Sequence, residues 1–167
     1  MQFSVGVEYA LHCLTYFVDL PSGTTIRTKE LATFQGVSET YLSKIFTKLK
    51  KSGIVRSMPG VKGGYELAKR PSEINFWDVI EAIEGSQSFF QCTQIRENCI
   101  LLEGKEVPKS ISCSPCTINV IMLEAEKKMK EYLKSKTIAS LNETIKFKIK
   151  DIHEEGVLWF REALERR

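Results

Sequence analysis

Four of the five cysteines in this sequence lie in one stretch between residues 92 and 116. Their spacing is C-x6-C-x13-C-x2-C, formed by Cys92, Cys99, Cys113 and Cys116. Thiolates hold iron–sulfur clusters and zinc, and neighbouring thiols oxidise to disulfides. The stretch therefore indicates a metal or redox site, with an iron–sulfur cluster, a tetrahedral Zn²⁺ and a thiol pair all left open.

The remaining chemistry-bearing residues do not extend this site. The pair Cys113 and Cys116 is similar to a thioredoxin-type motif, but that motif needs a βαβ setting, which this chain does not offer. Cys13 lies on the apolar face of a predicted helix and is expected to be a small core residue. His12 and His153 have no companion ligands nearby in the sequence. We therefore expect no enzymatic activity.

The cysteine stretch ends where a long helix is predicted to begin. Residues 86–116 show no periodicity, whereas the helix from Thr117 to Ser135 carries apolar residues that alternate by four and three. These are Ile118, Met122, Ala125, Met129 and Tyr132. Such a heptad seam favours pairing with the same helix of a second subunit. The alternative is packing within the chain against residues 142–167, which contain Ile145, Ile149, Ile152 and Trp159.

The first half of the chain predicts a helix-turn-helix. A helix is expected from Ser4 to about Leu20, and a short second helix from Lys29 to Gln35 with Thr28 as its N-cap. The turn Gly36-Val37-Ser38 leads to a third helix, whose apolar stripe is Leu42, Ile45, Phe46 and Leu49. Two helices joined by a short turn containing glycine are typical of duplex DNA readers.

A basic hairpin follows the third helix. Strands are predicted at residues 54–58 and 65–68 around the turn 59–64, and a last helix, 76–84, is capped by Asn75. Hydroxyls and cations on the polar face of the third helix and on the hairpin suit bases and phosphates. The expected DNA-contacting residues are Thr28, Ser38, Thr40, Tyr41, Ser43, Lys44, Lys51, Arg56 and Lys62. The alternative is a basic helix that binds an acidic protein.

Composition is compatible with a single main domain. The chain has 167 residues, 43% of them hydrophobic, and a net charge of +3, which is too mild to prove a nucleic-acid partner. No signal peptide and no membrane span are predicted, so we expect a cytoplasmic protein with reduced thiols.

The predicted fold is mainly α with a small β-hairpin wing. We divide the chain into a winged helix-turn-helix DNA-binding domain (1–85), a cysteine-bearing sensor loop (86–116), a dimerisation helix (117–141) and a C-terminal helical extension (142–167).

These motifs in this order resemble the IscR, NsrR and CymR-type family of bacterial winged helix-turn-helix regulators. The resemblance covers roughly Ser4 to Leu141 and is most specific in the wing sequence KGGYELA, residues 62–68, and in residues 74–84. It implies a homodimer that binds palindromic double-stranded promoter DNA and represses transcription.

The resemblance also implies a cofactor. Members that sense iron, nitric oxide or redox state hold a [2Fe-2S] or [4Fe-4S] cluster with three loop cysteines, which match Cys92, Cys99 and Cys113. The gap before Cys113 is longer than the usual spacing of the family. The fourth ligand is expected to be Cys116, where some members have a histidine, and the alternative is Glu8 of the partner subunit. A cluster-free thiol switch or a zinc-stabilised regulator stays open.

One position departs from the family in the third helix. Some members carry a glutamate there that sets promoter choice, and this chain has Ser43. Because a hydroxyl cannot replace a carboxylate in base recognition, the target sequence of those members does not carry over.

Overall fold

The computed structural model describes residues 2–86 and 88–166, which form two compact units. The first unit combines residues 2–85 with residues 133–166, and the second contains the rest of the described chain between them. The first unit is therefore assembled from two segments that are distant in the sequence.

Helix α1 spans Val5–Thr15 and is shorter than the sequence predicts. Residues 16–20 form turns instead, with the Phe17 amide donating to the Leu14 carbonyl and the Val18 amide to the Thr15 carbonyl. Phe17 and Leu20 are still buried in the core. The prediction of a helix up to Leu20 is wrong. The periodicity assigned these apolar side chains to a helix, but the turns bury them equally well.

Helices α2 (Thr28–Gln35) and α3 (Glu39–Lys51) form the helix-turn-helix. The N-cap of α2 is Arg27 rather than Thr28, and its backbone N–H donates to the Glu30 carboxylate at 2.8 Å. Gly36 ends α2 with a left-handed φ of 66°, which glycine adopts at little cost. The Ser38 hydroxyl caps α3 by accepting from the Tyr41 amide.

The wing consists of the antiparallel strands β1 (Val55–Met58) and β2 (Gly64–Leu67) with the turn between them. The register places Val55 opposite Leu67 and Met58 opposite Gly64. Ile26, in the segment before α2, adds an isolated antiparallel bridge to Tyr65 of β2. The wing is therefore fastened to the helix-turn-helix through its second strand.

Helix α4 spans Phe76–Glu84 after a short 3-10 turn, Pro71–Glu73. The Asn75 side chain caps it by accepting from the Asp78 amide at 2.9 Å. Trp77 is buried, as expected for a packing residue. The chain re-enters this unit at Thr137, which pairs with Asn75 in an isolated bridge.

Helices α7 (Ile138–Lys148) and α8 (Lys150–Glu165) complete the first unit. Phe160 of α8 makes aromatic contacts: its ring lies 5.1 Å from Tyr16 and 4.8 Å from Phe34, measured between centroids. Phe160 is 1% exposed. Helix α8 therefore packs on the turns after α1 and on the first helix of the helix-turn-helix.

Asp19 adds a polar contact between the same elements. Its carboxylate accepts from Asn142 at 2.8 Å and from Lys146 at 2.5 Å, and it lies 2.7 Å from His153 Nε2. Burial alone raises the pKa of this carboxyl group. The hydrogen bonds from Lys146, Asn142 and His153 lower it by more than burial raises it, so the pKa is below its ordinary value. One carboxylate thus connects the turns after α1 to both C-terminal helices.

The second unit contains irregular chain and most of one long helix. Short 3-10 turns at Ile95–Asn98 and Ile100–Leu102 and a single α-turn, α5 (Lys109–Ser112), precede α6 (Thr117–Lys134). The helix stops at Lys134, one residue before the end of the predicted periodicity, and residues 138–141 of the segment assigned to the dimerisation helix (117–141) belong to α7. Within the described ranges 2–86 and 88–166, we find no helix with the length and apolar character needed to cross a bilayer.

Candidate nucleic-acid interface and cysteine segment

Helix α3 separates an apolar face from a polar face, as the sequence predicts. The stripe Leu42, Ile45, Phe46 and Leu49 is at most 3% exposed. The opposite face presents Thr40, Lys44 and Thr47 to solvent. Because the apolar stripe holds the helix on the core, the hydroxyl and ammonium groups of the other face project outwards together.

The structure also brings together two predicted contact residues from different helices. The Ser43 hydroxyl of α3 lies 3.4 Å from the Thr28 hydroxyl at the start of α2. Tyr41, 39% exposed, packs edge-on against Tyr9 of α1 with centroids 5.7 Å apart. Thr28, Ser43 and Tyr41 thus border the same end of α3, where a recognition helix contacts base edges.

The cations around α3 divide into two groups. Lys44 and Lys51 are exposed. Lys48 instead donates to the Ile83 carbonyl at the end of α4, at 2.6 Å, which suits a cation at a helix C-terminus. On β1, Arg56 is 63% exposed and donates through Nε to the buried Glu66 carboxylate at 2.7 Å. Arg56 therefore has a defined position and still presents part of its guanidinium to solvent.

The turn of the wing presents Val61 and Lys62 to solvent, and its carbonyls contact the segment before α2. The Thr25 hydroxyl donates to the Lys62 carbonyl at 2.6 Å. The Arg27 guanidinium donates to the Val61 and Gly63 carbonyls. The sequence did not identify Thr25 and Arg27 as functional residues. The β-branched run Thr24-Thr25-Ile26 was the available signal for the extended segment that positions them.

The cysteine segment belongs to the second unit, and two of its four thiols are close enough to interact. Cys92 contributes to lowering the pKa of the Cys116 thiol. Cys99 and Cys113 are exposed, and Cys113 lies 3.7 Å from the Ser112 hydroxyl. In the part of the chain that the structure describes, no three His, Cys, Asp or Glu side chains are arranged to hold a metal ion.

Cys116 is the residue immediately before α6, and its surroundings favour a thiolate. The pKa of this thiol is lowered chiefly by the Asn119 amide; desolvation opposes this, and the Ile118 amide, Cys92 and the Arg96 charge add to the lowering. Amides at a helix N-terminus stabilise anions, including thiolates. Because thiolates are the ligands that iron–sulfur clusters and zinc require, the donor set fits either group chemically.

Two other predicted residues behave as ordinary structural groups. Cys13 is fully buried, as expected for a core residue, and burial raises the pKa of its thiol to about 12. Glu8, the alternative cluster ligand, is an exposed carboxylate on α1.

The helix-turn-helix, the wing and the exposed polar face of α3 define a winged helix-turn-helix protein of the DNA-binding class. Residues 3–144 match the Rrf2 family, described as "Iron-dependent Transcriptional regulator". The chain belongs to this family, and the prediction of a transcriptional regulator rather than an enzyme is confirmed.

Individual relatives agree with this assignment. The chain is 32% identical over 102 residues to the HTH-type transcriptional regulator NsrR of Halalkalibacterium halodurans, covering 60% of this chain and 70% of that protein. It is similar in fold to CymR, the global cysteine regulator of B. subtilis (TM-score 0.64, 22% identity, 86% of this chain and 98% of that one). It is also similar to T. potens IscR (TM-score 0.62, 24% identity, 86% and 88%). The predicted resemblance and fold class are confirmed.

Proposed function

We propose that the protein is a homodimeric, sequence-specific repressor that binds double-stranded promoter DNA and responds to iron–sulfur, nitric oxide or redox status. The observation that carries the DNA contact is the polar face of α3, held outwards by a buried apolar stripe. In this proposal Thr40, Ser43 and Lys44 face the bases of a major groove, while Arg56 and Lys62 of the wing meet the backbone.

The sensing site would be the cysteine segment. Cys92, Cys99 and Cys113 would hold a [2Fe-2S] or [4Fe-4S] cluster with Cys116 as fourth ligand, and Glu8 of the partner subunit is the alternative. The iron-dependent description of the family and the lowered pKa of Cys116 support this assignment. When bound, such a cluster supplies an iron centre that changes oxidation state or reacts with nitric oxide.

Signal transfer would follow from the position of Cys116. Since Cys116 directly precedes α6, a change in what its sulfur binds would reorder residues 113–116 and the first turn of the helix. If α6 pairs the two subunits, this change alters the relative orientation of the two DNA-reading units. The affinity for two half-sites then changes, which is a coupling between separate sites.

DNA binding is tested with a duplex selected from a random library by the wild-type protein. We expect an affinity that falls steeply with salt, because cations displace counterions from phosphates. Lys44→Ala should weaken binding about tenfold, a loss of about 1.4 kcal/mol. Lys127→Ala on α6, which removes a 76% exposed cation that is not part of the proposed interface, should have no effect. If Lys44→Ala and Arg56→Ala both leave affinity unchanged, the interface is misassigned.

The cofactor is tested by purifying the protein without oxygen and with iron. A brown protein is expected, with visible absorption that is lost in a Cys92→Ala/Cys99→Ala variant and kept in Cys13→Ala, which removes only the buried core thiol. Loss of absorption in Cys116→Ala but not in Glu8→Gln would assign the fourth ligand to Cys116. A colourless protein with stoichiometric zinc contradicts the cluster.

The lowered pKa of Cys116, to which Cys92 contributes, supports a second candidate, a cluster-free thiol switch. Hydrogen peroxide would oxidise the two thiols to one disulfide and would itself be reduced to two molecules of water. Mass spectrometry of the metal-free protein after peroxide treatment would then detect the loss of two hydrogens and a Cys92–Cys116 cross-linked peptide. Two unlinked thiols after treatment would reject this candidate.

A further inference from the structure

Two side chains hold three consecutive carbonyls of the wing turn. Thr25 donates to the Lys62 carbonyl, and Arg27 donates to the carbonyls on either side, those of Val61 and Gly63. These contacts join residues that are 34–37 positions apart in the sequence. The turn that carries Lys62 is therefore fastened by side chains that lie outside the hairpin.

The backbone beneath these contacts brings the two segments close together. The Ile26 amide donates to the Tyr65 carbonyl at 2.9 Å, and the Tyr65 amide donates to the Ile26 carbonyl at 2.8 Å. A side chain at Gly64 would place its Cβ 2.7 Å from the Ile26 carbonyl oxygen. The missing side chain thus permits the approach that puts Thr25 and Arg27 beside the turn.

Arg27 is also the N-cap residue of α2, held there by its backbone contact with Glu30. Its side chain contacts the wing, while its main chain begins the first helix of the helix-turn-helix. Arg27 therefore links the two DNA-contacting elements directly.

We propose that Arg27, assisted by Thr25, is a positioning residue for DNA recognition: it orders the wing turn so that Lys62 meets DNA without a further ordering cost. This inference rests on the proposed DNA-binding function. A two-stranded hairpin is only marginally stable by itself, and a binding group ordered in advance loses less conformational freedom on association. Arginine suits the role because its planar fork reaches two carbonyls, whereas a lysine ammonium acts as a single point.

Two explanations of an affinity loss at Arg27 must be separated, its charge and its contacts with the turn. Arg27→Lys keeps the charge and removes the fork, and Arg27→Ala removes both. Lys29→Ala is the matched control. It removes an exposed cation two residues further on, and among the described residues the Lys29 side chain makes no hydrogen bond to the wing. Each variant is combined with Lys62→Ala, which leaves the Lys62 carbonyl in place.

The first measurement is the affinity for the selected duplex. Lys62→Ala should weaken binding about tenfold in wild type and in Lys29→Ala, equivalent to about 1.4 kcal/mol. In both Arg27 variants the same substitution should cost less than about twofold, because the turn no longer presents Lys62 in one position. A full tenfold effect of Lys62→Ala in the Arg27→Ala protein would overturn the inference, as would Arg27→Lys behaving like wild type.

The second measurement needs no DNA. Backbone amide order parameters of Val61, Lys62 and Gly63 in the free protein should fall from about 0.85 towards 0.6 in both Arg27 variants. They should stay high in Lys29→Ala. Unchanged order parameters in the Arg27 variants would overturn the inference whatever the binding result. A wild-type protein without salt-dependent DNA binding would instead overturn the proposed function, and the role of Arg27 in recognition with it.

Discussion

The polar contact at Asp19 has an energetic consequence at the scale of single residues. Asp19 is the acceptor shared by Asn142 and Lys146, and its side chain is 21% exposed. Hydrogen bonds to a charged group typically contribute more than neutral ones. Asp19→Asn should therefore lower the free energy of unfolding by about 1–2 kcal/mol, measured by chemical denaturation.

A matched control for this substitution is the second carboxylate that pairs with Lys146. Glu143 lies 3.9 Å from Lys146 and is 76% exposed, so the water around it screens the pair. Glu143→Gln should change stability by less than about 0.5 kcal/mol. Equal losses for the two variants would contradict a special role of Asp19.

The lowered pKa of Asp19 also predicts a pH dependence. Because the pKa is lower in the folded state than its ordinary value of 3.8, the contribution to stability is fully present above that value. It is lost as the pH falls through the lower, folded-state pKa. The free energy of unfolding of the wild type should therefore exceed that of Asp19→Asn at pH 6, and this difference should shrink on acidification below about pH 4. A difference independent of pH would contradict this account.

At the scale of elements, α8 buries one aromatic side chain in the first unit. Phe160 is 1% exposed between Tyr16 and Phe34. Phe160→Ala should destabilise the fold by about 3–5 kcal/mol, because it leaves a cavity where a buried ring was. Leu158→Ala on the same helix, at a position 56% exposed, should cost less than about 0.5 kcal/mol. If both variants melt like wild type, α8 does not stabilise the first unit.

Sequence patterns correctly predicted those elements whose boundaries are set by residues close together in the sequence. The stripe of α3 and the caps at Ser38 and Asn75 are read within one or two helical turns, and the structure confirms them. The end of α1 was predicted wrongly because buried turn residues such as Phe17 continue the apolar spacing of the helix. The residues around such a position do not determine whether its buried side chain belongs to a helix or to a turn.

Contacts between distant segments were beyond sequence reasoning. Arg27 meets the wing across 34 and 36 residues, and nothing next to Arg27 in the sequence specifies which carbonyls it reaches. The same holds for the packing of Phe160 on Phe34. Four cysteines in one stretch predict a site, but the influence of Cys92 on the pKa of Cys116 depends on how an irregular segment folds.

At the scale of the whole molecule, the predicted dimer concerns α6. Its seam residues Ile118, Met122 and Tyr132 are 63%, 39% and 63% exposed, and exposed apolar side chains in such numbers are typical of interaction surfaces. Met122→Glu should convert a dimer into a monomer in sedimentation experiments. It should weaken DNA binding by about 100-fold or more, because linked half-sites gain affinity from each other.

Val120 provides the control for this substitution. It is similarly exposed, at 45%, but lies outside the predicted seam. Val120→Glu should leave the protein dimeric. A wild-type protein that sediments as a monomer, or equal disruption by both substitutions, would contradict the heptad seam.

The discontinuous first unit has a consequence for how the protein is made. Phe160 belongs to the buried core, and Asp19 and His153 are in contact across 134 residues, so the core cannot be completed until the ribosome has passed the cysteine segment. Translation at about 5–20 residues per second leaves the Phe34 side chain without Phe160 for roughly 6 to 25 s. Throughout this interval the nascent chain exposes an aromatic surface to chaperones and to other chains.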